Sequence, residues 1–136
     1  MAPERVVTSE RHTGTEGGST VGNPIVHWEL MVSDTAKAKA FYSSVFDWEW
    51  DEATFPGYQG IRTGTEPPGG MMARPEMVPM SALNTYFGVD DIEATLAKAT
   101  KAGATVVAPK TPLPGIGFWA MFADPDGIPV GLFQPE

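Results

Sequence analysis

An imidazole and a carboxylate stand two residues apart at His27 and Glu29, inside the run Ile25-Val26-His27-Trp28-Glu29-Leu30-Met31-Val32. Residues i and i+2 of a strand share a face, so the pair presents two titratable groups side by side. An imidazole titrates near neutrality and a neighbouring carboxylate raises its pKa, which equips such a pair for general acid–base catalysis or for hydrogen-bonding a substrate. The plainer alternative is a histidine that only bonds its neighbours, Glu29 or Tyr86, beside a solvated glutamate. A carboxylate on an inner strand face needs a reason to be there. Other chemistries are excluded by residue type. The chain has no cysteine, hence no thiolate nucleophile, thiolate metal site or disulfide. No GxGxxG or GxxxxGK[ST] follows a strand, and no Gly-x-Ser-x-Gly elbow occurs, so nucleotide binding and serine-hydrolase chemistry are not expected.

The elements that position the pair occur twice. His27-Trp28-Glu29-Leu30-Met31-Val32-Ser33-Asp34 returns 57 positions later (84 minus 27) as Asn84-Thr85-Tyr86-Phe87-Gly88-Val89-Asp90-Asp91. Each copy leads into a helix-like run, and such self-similarity marks a duplicated supersecondary unit. Where the first copy carries an imidazole, the second carries an amide. In the first unit Val26, Trp28, Leu30 and Val32 point one way while His27, Glu29 and Met31 point the other. Ser33-Asp34 offers an N-cap, and Ala38, Phe41, Tyr42, Val45 and Phe46 form one stripe of a helix over 35–46, expected to cover the apolar strand face. Three short strands follow within 48–75, divided by turn residues at Phe55-Pro56-Gly57 and Glu66-Pro67-Pro68-Gly69-Gly70.

The segment 75–81 is a natural linker stiffened by Pro79. In the second unit Leu83, Thr85, Phe87 and Val89 alternate with Asn84, Tyr86 and Gly88. Asp90 with Glu93 reads as a capping box, Ile92, Leu96 and Ala99 as a helical stripe, and Gly103 as the C′ residue. Strands are expected near 104–108, 117–123 and 129–134. Asp124-Pro125-Asp126-Gly127 has the residues of a type I turn. Each half is therefore βαβββ, module one over 24–75 and module two over 82–135, within one domain spanning 23–136. The fold class is α+β, two βαβββ modules forming a cup with the helices outside. His27, Glu29, Asn84 and Tyr86 line the inner faces. With Trp48, Trp50, Trp119 and Phe133 they suggest an aromatic cup for a flat or carbonyl-bearing small molecule. Four tryptophans must also be buried somewhere, so some of these rings belong to the core.

The net charge is −8, from 17 acids against 9 scattered bases, which argues against nucleic-acid or anionic-membrane partners. No apolar stretch reads as a membrane span or signal peptide, so a cytoplasmic location is the expectation. Residues 1–22, rich in Ser, Thr, Glu, Arg and Gly, read as a flexible tail, and His12 within it as a solvated side chain.

Two βαβββ units, Val32-Ser33-Asp34 and Val89-Asp90-Asp91 at the strand exits, Phe41-Tyr42 in the first helix and the Asp124–Gly127 hairpin together resemble the vicinal oxygen chelate superfamily. This group includes glyoxalase I, extradiol dioxygenases, fosfomycin-resistance enzymes and bleomycin-resistance proteins. The resemblance covers about 24–135. It implies a glyoxalase-like cup, frequent homodimers, sometimes with exchanged modules, and in the enzymes a divalent metal held by the first and last strands of each unit. It places His27 at the first-strand histidine, Asn84 at its second-unit counterpart and Gly131 at the final-strand glutamate, with the remaining ligand due in Gly69-Gly70-Met71-Met72. One of four ligands is present. Such a donor set, even with Glu29 added, is too poor for a tight divalent site, so no cofactor is expected, a weakly held divalent metal being the alternative. The resemblance thus implies binding of a small organic molecule in a metal-free cup by His27, Glu29, Asn84, Tyr86, Gly131 and Phe133. The alternative is a lyase, isomerase or related enzyme using His27 and Glu29 as acid–base groups.

Overall fold

A computed structural model of the chain describes residues 21–52, 56–76, 78 and 80–136. The elements in chain order are β1 (Ile25–Val32), α1 (Thr35–Val45), β2 (Glu49–Glu52), β3 (Tyr58–Arg62), β4 (Gly69–Ala73), β5 (Ala82–Gly88), α2 (Ile92–Lys101), β6 (Thr105–Leu113), β7 (Gly117–Ala123) and β8 (Pro129–Pro135). The βαβββ pattern is present twice. Residues 1–20 of the expected tail, with His12, and also Phe55 and Pro79, lie outside the described residues.

The strands form one eight-stranded sheet in the order β2-β3-β4-β1-β5-β8-β7-β6. Each module supplies four adjacent strands, and the modules meet where β1 pairs antiparallel with β5 of the same chain. In that ladder His27 lies opposite Tyr86, Trp28 opposite Thr85 and Glu29 opposite Asn84. Trp28 and Thr85 are also mates in the 57-residue repeat. The local two-fold axis relating the modules therefore passes between them. Within each module the last strand lies beside the first and parallel to it: β4 places Gly70 beside Glu29, and β8 places Gly131 beside Tyr86.

Alternation sorts the two faces as the residue pattern requires. Leu30, Ile61 and Met71 form a buried cluster with Trp28, Val32, Ala38, Tyr42, Trp48 and Trp50 packed on it. Val89, Ile92, Leu96, Ala120 and Leu132 form the equivalent cluster under α2. Three of the four tryptophans thus belong to the α1-side core. The register opposite Phe133 leaves Trp119 on the other face.

Several local expectations change. Asp34 caps α1, its side chain accepting from Lys37 N at 3.0 Å. The helix covers less than its apolar stripe suggests, because Phe41 is 59% exposed and Val45 54% exposed; Ala38 and Tyr42 make the contact with the core. At α2 the cap is Asp91, accepting from Ala94 N at 3.1 Å, rather than Asp90, since only a side chain three residues before the free amide reaches it. Gly103 follows the helix at φ +113°. Its N–H donates to Thr100 O and that of Ala104 to Ala99 O, the paired bonds that end a helix on a left-handed residue. β6 runs past the expected 108 to Leu113, through two register shifts. It can hold Pro109 and Pro112 because it is an edge strand with one neighbour.

The β7–β8 turn closes as its residues dictate. Gly127 N donates to Asp124 O at 2.8 Å, while Asp124 Oδ1 accepts from Asp126 N and Ile128 N at 2.8 and 2.9 Å. Replacing Asp124 by Ala removes both side-chain bonds. We expect it to lower unfolding free energy by roughly 1–2 kcal/mol, measured as a lower urea midpoint with unchanged slope.

Candidate functional site

The inner face of the sheet carries, around the β1–β5 junction, His27 and Glu29 from β1, Asn84 and Tyr86 from β5, and one residue that the sequence pattern does not single out, Tyr58 from β3. Nε2 of His27 and the Tyr58 hydroxyl share a hydrogen bond of 2.7 Å whose direction follows the imidazole tautomer. Tyr86 Oη donates to Glu29 Oε1 at 2.9 Å. Tyr58 also hydrogen-bonds the Glu29 carboxyl, and the imidazole hydrogen-bonds the Pro68 carbonyl. His27 therefore contacts Tyr58, neither Glu29 nor Tyr86 being its hydrogen-bond partner, although the Tyr86 ring lies tilted against the imidazole at 5.8 Å.

Two glycines make room for the phenols. A Cβ at Gly70 would collide with the Tyr58 hydroxyl and ring, and one at Gly131 with the Tyr86 ring and with Thr85 O. These glycines occupy matching places, each on a strand parallel to a first strand and beside matched residues of the repeat, Glu29 and Tyr86. Gly131 thus enters the site as the seat of Tyr86. Phe133, opposite Gly88 and Trp119 in the ladders, lies farther along β8 on the same face. Tyr58 was hidden from sequence reasoning because it follows a turn and belongs to a strand two places away from β1. The only signal was glycine in the strand after it.

Burial sets the electrostatics. Glu29 is 7% exposed and Asn84 4% exposed. Loss of solvent raises the Glu29 pKa above 4.5, and the hydrogen bonds from Tyr86 and Tyr58 oppose this in part. Burial lowers the His27 pKa below 6.5, against the pull of the Pro68 carbonyl. Both phenols are pushed upward by burial first and by the Glu29 charge second, so they remain protonated donors at physiological pH. The Asn84 amide lies opposite Glu29 on the inner face, and no hydrogen bond to its side chain is made among the described residues.

A divalent ion does not fit this arrangement. The imidazole and carboxylate are joined by a neutral amide and by two glycines whose side-chain space is already taken by tyrosine rings. Among the described residues no three His, Cys, Asp or Glu side chains converge. Two open clefts lie elsewhere, one between the start of α1 and Ser81, the other between Asp47 and the Thr63–Pro68 turn. In the second, Arg62 is paired with Asp51 and Glu49.

A duplicated βαβββ sheet with its polar cluster at the junction of the modules defines the class of protein. The chain belongs to the glyoxalase/bleomycin resistance protein/dioxygenase superfamily, whose family model matches residues 24–132. The protein CFP32 of Mycobacterium tuberculosis, whose name classes it with the glyoxylases, is 32% identical over 113 residues, which are 78% of this chain and 43% of that protein. The chain thus spans less than half the length of this relative. A glyoxylase-like domain-containing protein of Didymella fabae is 29% identical over 108 residues, 73% of this chain and 84% of that one. The Mn(II)-bound glyoxalase of Novosphingobium aromaticivorans shares the fold at TM-score 0.60 and 19% identity, over 82% of this chain and 38% of that one. A homoprotocatechuate 2,3-dioxygenase variant from B. fuscum does so at 0.61 and 21%, over 87% and 35%. No helix among the described residues is long and apolar enough to cross a membrane.

The two pKa shifts act on stability with opposite sign. Raised in the fold, Glu29 stabilises fully below 4.5 and loses that contribution as pH rises through its folded value. Lowered in the fold, His27 contributes above 6.5 and loses its contribution as pH falls. Glu29→Gln should therefore gain on the wild type as pH climbs above 4.5, by about 1.4 kcal/mol for each pH unit separating the folded titration from the unfolded one. His27→Gln should gain as pH falls below 6.5. Urea midpoints measured from pH 4 to 8 check both; parallel profiles for variant and wild type would contradict the assignments.

Proposed function

We propose that the chain binds a small, uncharged organic molecule in a metal-free cup, held by the Asn84 amide and by the edges of Tyr86, His27 and Phe133. The supporting observation is the Asn84 side chain, 4% exposed and facing the cup without a hydrogen-bond partner among the described residues. Its polar atoms are not among the described side-chain atoms that are both shut off from solvent and unpartnered, so the amide stays accessible from the cup to a ligand bringing one donor and one acceptor. Glu29 is already engaged by two phenols, and a second anion beside it would meet repulsion in a site of low dielectric. A neutral polar group is therefore the better match for Asn84. The relatives' names point to glyoxalase-type chemistry for those proteins, and the absence of a fitting metal donor set here favours binding without it.

A second reading is supported by the His27–Tyr58–Glu29 contact: proton transfer to or from the bound molecule, as in a lyase or isomerase, with Glu29 as the buried acid–base group. Its raised pKa brings it toward the working range of such a group.

The binding reading is tested by thermal shift across a metabolite and antibiotic panel. A true ligand at 100 times its Kd should stabilise by about 2.7 kcal/mol, and Asn84→Leu should abolish the shift while keeping the fold. Silence across the panel would count against binding. Metal analysis of protein purified without chelator should show far less than one equivalent of Ni, Zn, Fe or Mn, and a full equivalent lost in His27→Ala would overturn the metal-free cup. Should His27→Ala keep the affinity for a discovered ligand but lose turnover, the enzyme reading gains.

A further inference from the structure

The two helices hold matching places in the repeat, since α1 begins at Thr35 and α2 at Ile92, 57 residues on (92 minus 35). Their outer faces are nevertheless built differently. Phe41 and Val45, both exposed on α1, correspond at the same offset to Lys98 and Ala102, which are exposed at the equivalent places of α2. The fold therefore accepts a lysine and an alanine at these positions. Nothing in the packing of one chain calls for a phenylalanine and a valine turned to water.

The apolar surface continues beyond the helix. The cleft at the start of α1 has Phe41 on one wall and Ser81 on the other, and Ser81 is flanked by Met80 and Leu83, 68% and 61% exposed. Leu83 pairs with Leu30 across the β1–β5 ladder, which sets it on the helix side of the sheet at the junction of the modules. Val45 lies one turn beyond Phe41, and Phe46, also exposed, follows it. Phe41, Val45, Phe46, Met80 and Leu83 together offer on the order of 600 Å² of apolar surface, the upper end of what a monomer leaves uncovered.

That area identifies what covers it. A stable homodimer buries about 800 Å² on each partner, roughly two-thirds of it apolar, so the patch supplies the apolar share of one such interface. Charge agrees. The chain carries a net −8, but α1 holds Lys37 and Lys39 and no acid, so two acidic copies can meet along it without setting carboxylate against carboxylate. Lys39 Nζ lies 5.7 Å from the Trp50 ring centroid and so leans on its own module rather than into the contact. The Mycobacterium tuberculosis relative, of which the matched 113 residues are 43%, has length for a second domain of this size in one polypeptide.

We propose that α1, the cleft beside it and Leu83 form the seat of a second copy of this chain. The β1–β5 ladder already closes the sheet within one chain, so the dimer needs no exchange of modules. Each cup lies on the opposite face of its sheet and stays open.

Sedimentation equilibrium of the full chain from nanomolar to high micromolar concentration tests this, and should reach twice the mass of one chain. Phe41→Lys combined with Val45→Ala gives α1 the residues that α2 carries in the same places. It should raise the dimer Kd by about thirtyfold or more, as loss of a central aromatic anchor does. Val107→Lys, an exposed position on the edge strand β6, should leave the Kd unchanged. Circular dichroism checks that each variant is folded, and if the double variant is not, Leu83→Lys takes its place with the same expected loss. A monomer at every concentration would overturn the proposal and leave α1 to residues 1–20 of the same chain or to a different protein. A dimer that survives the α1 substitutions, or one that Val107→Lys dissolves, would overturn it as well, the latter by moving the contact to the sheet edge.

Discussion

The antiparallel pairing of β1 with β5 is the contact on which the rest of the molecule depends. It joins two four-stranded halves into one sheet, and it does so at the point where the repeat meets its own mate, Trp28 opposite Thr85. Because side chains alternate, that register places both Glu29 and Tyr86 on the inner face, within reach of each other. A slip of one residue would turn His27 and Glu29 toward the helices and bring Trp28 and Leu30 into the cup. The buried cluster of Leu30, Ile61 and Met71 holds the register against such a slip.

The same symmetry explains what fills the cup. Gly70 and Gly131 stand in matching places of the two modules, and each is covered by a tyrosine ring. Loss of a side chain on the last strand and gain of a ring above it are two aspects of one packing solution. The phenols bring donors to a carboxyl that would otherwise be buried beside apolar neighbours, and their own burial keeps them protonated. The centre that results is neutral or singly anionic, hydrogen-bonded and compact. Such a centre suits proton exchange and recognition of uncharged groups better than it suits a cation.

Much of this was legible in the residues. Alternation in Ile25–Val32 assigned His27 and Glu29 to the inner face, and the repeat brought Asn84 and Tyr86 to the same place. Gly103 and the Asp124–Gly127 turn followed from left-handed backbone and from Asx and proline preferences, which are local matters. Where local rules compete, the residues alone misled. Asp90 and Asp91 both look like caps, and only the helix start decides between them. Phe41 and Val45 fit a buried stripe but are exposed, because α1 leans on the sheet through Ala38 and Tyr42.

The chain by itself determined the duplicated βαβββ programme, the faces of its strands and the family, because each depends on residue type and short-range periodicity. Tertiary structure alone decided that His27 meets Tyr58 rather than Glu29 or Tyr86, that three of four tryptophans lie under α1, and that the Asn84 side chain makes no hydrogen bond among the described residues. Those outcomes depend on which strands become neighbours and how rings fill the space above two glycines. Such contacts join residues more than 30 positions apart, and no local pattern records them.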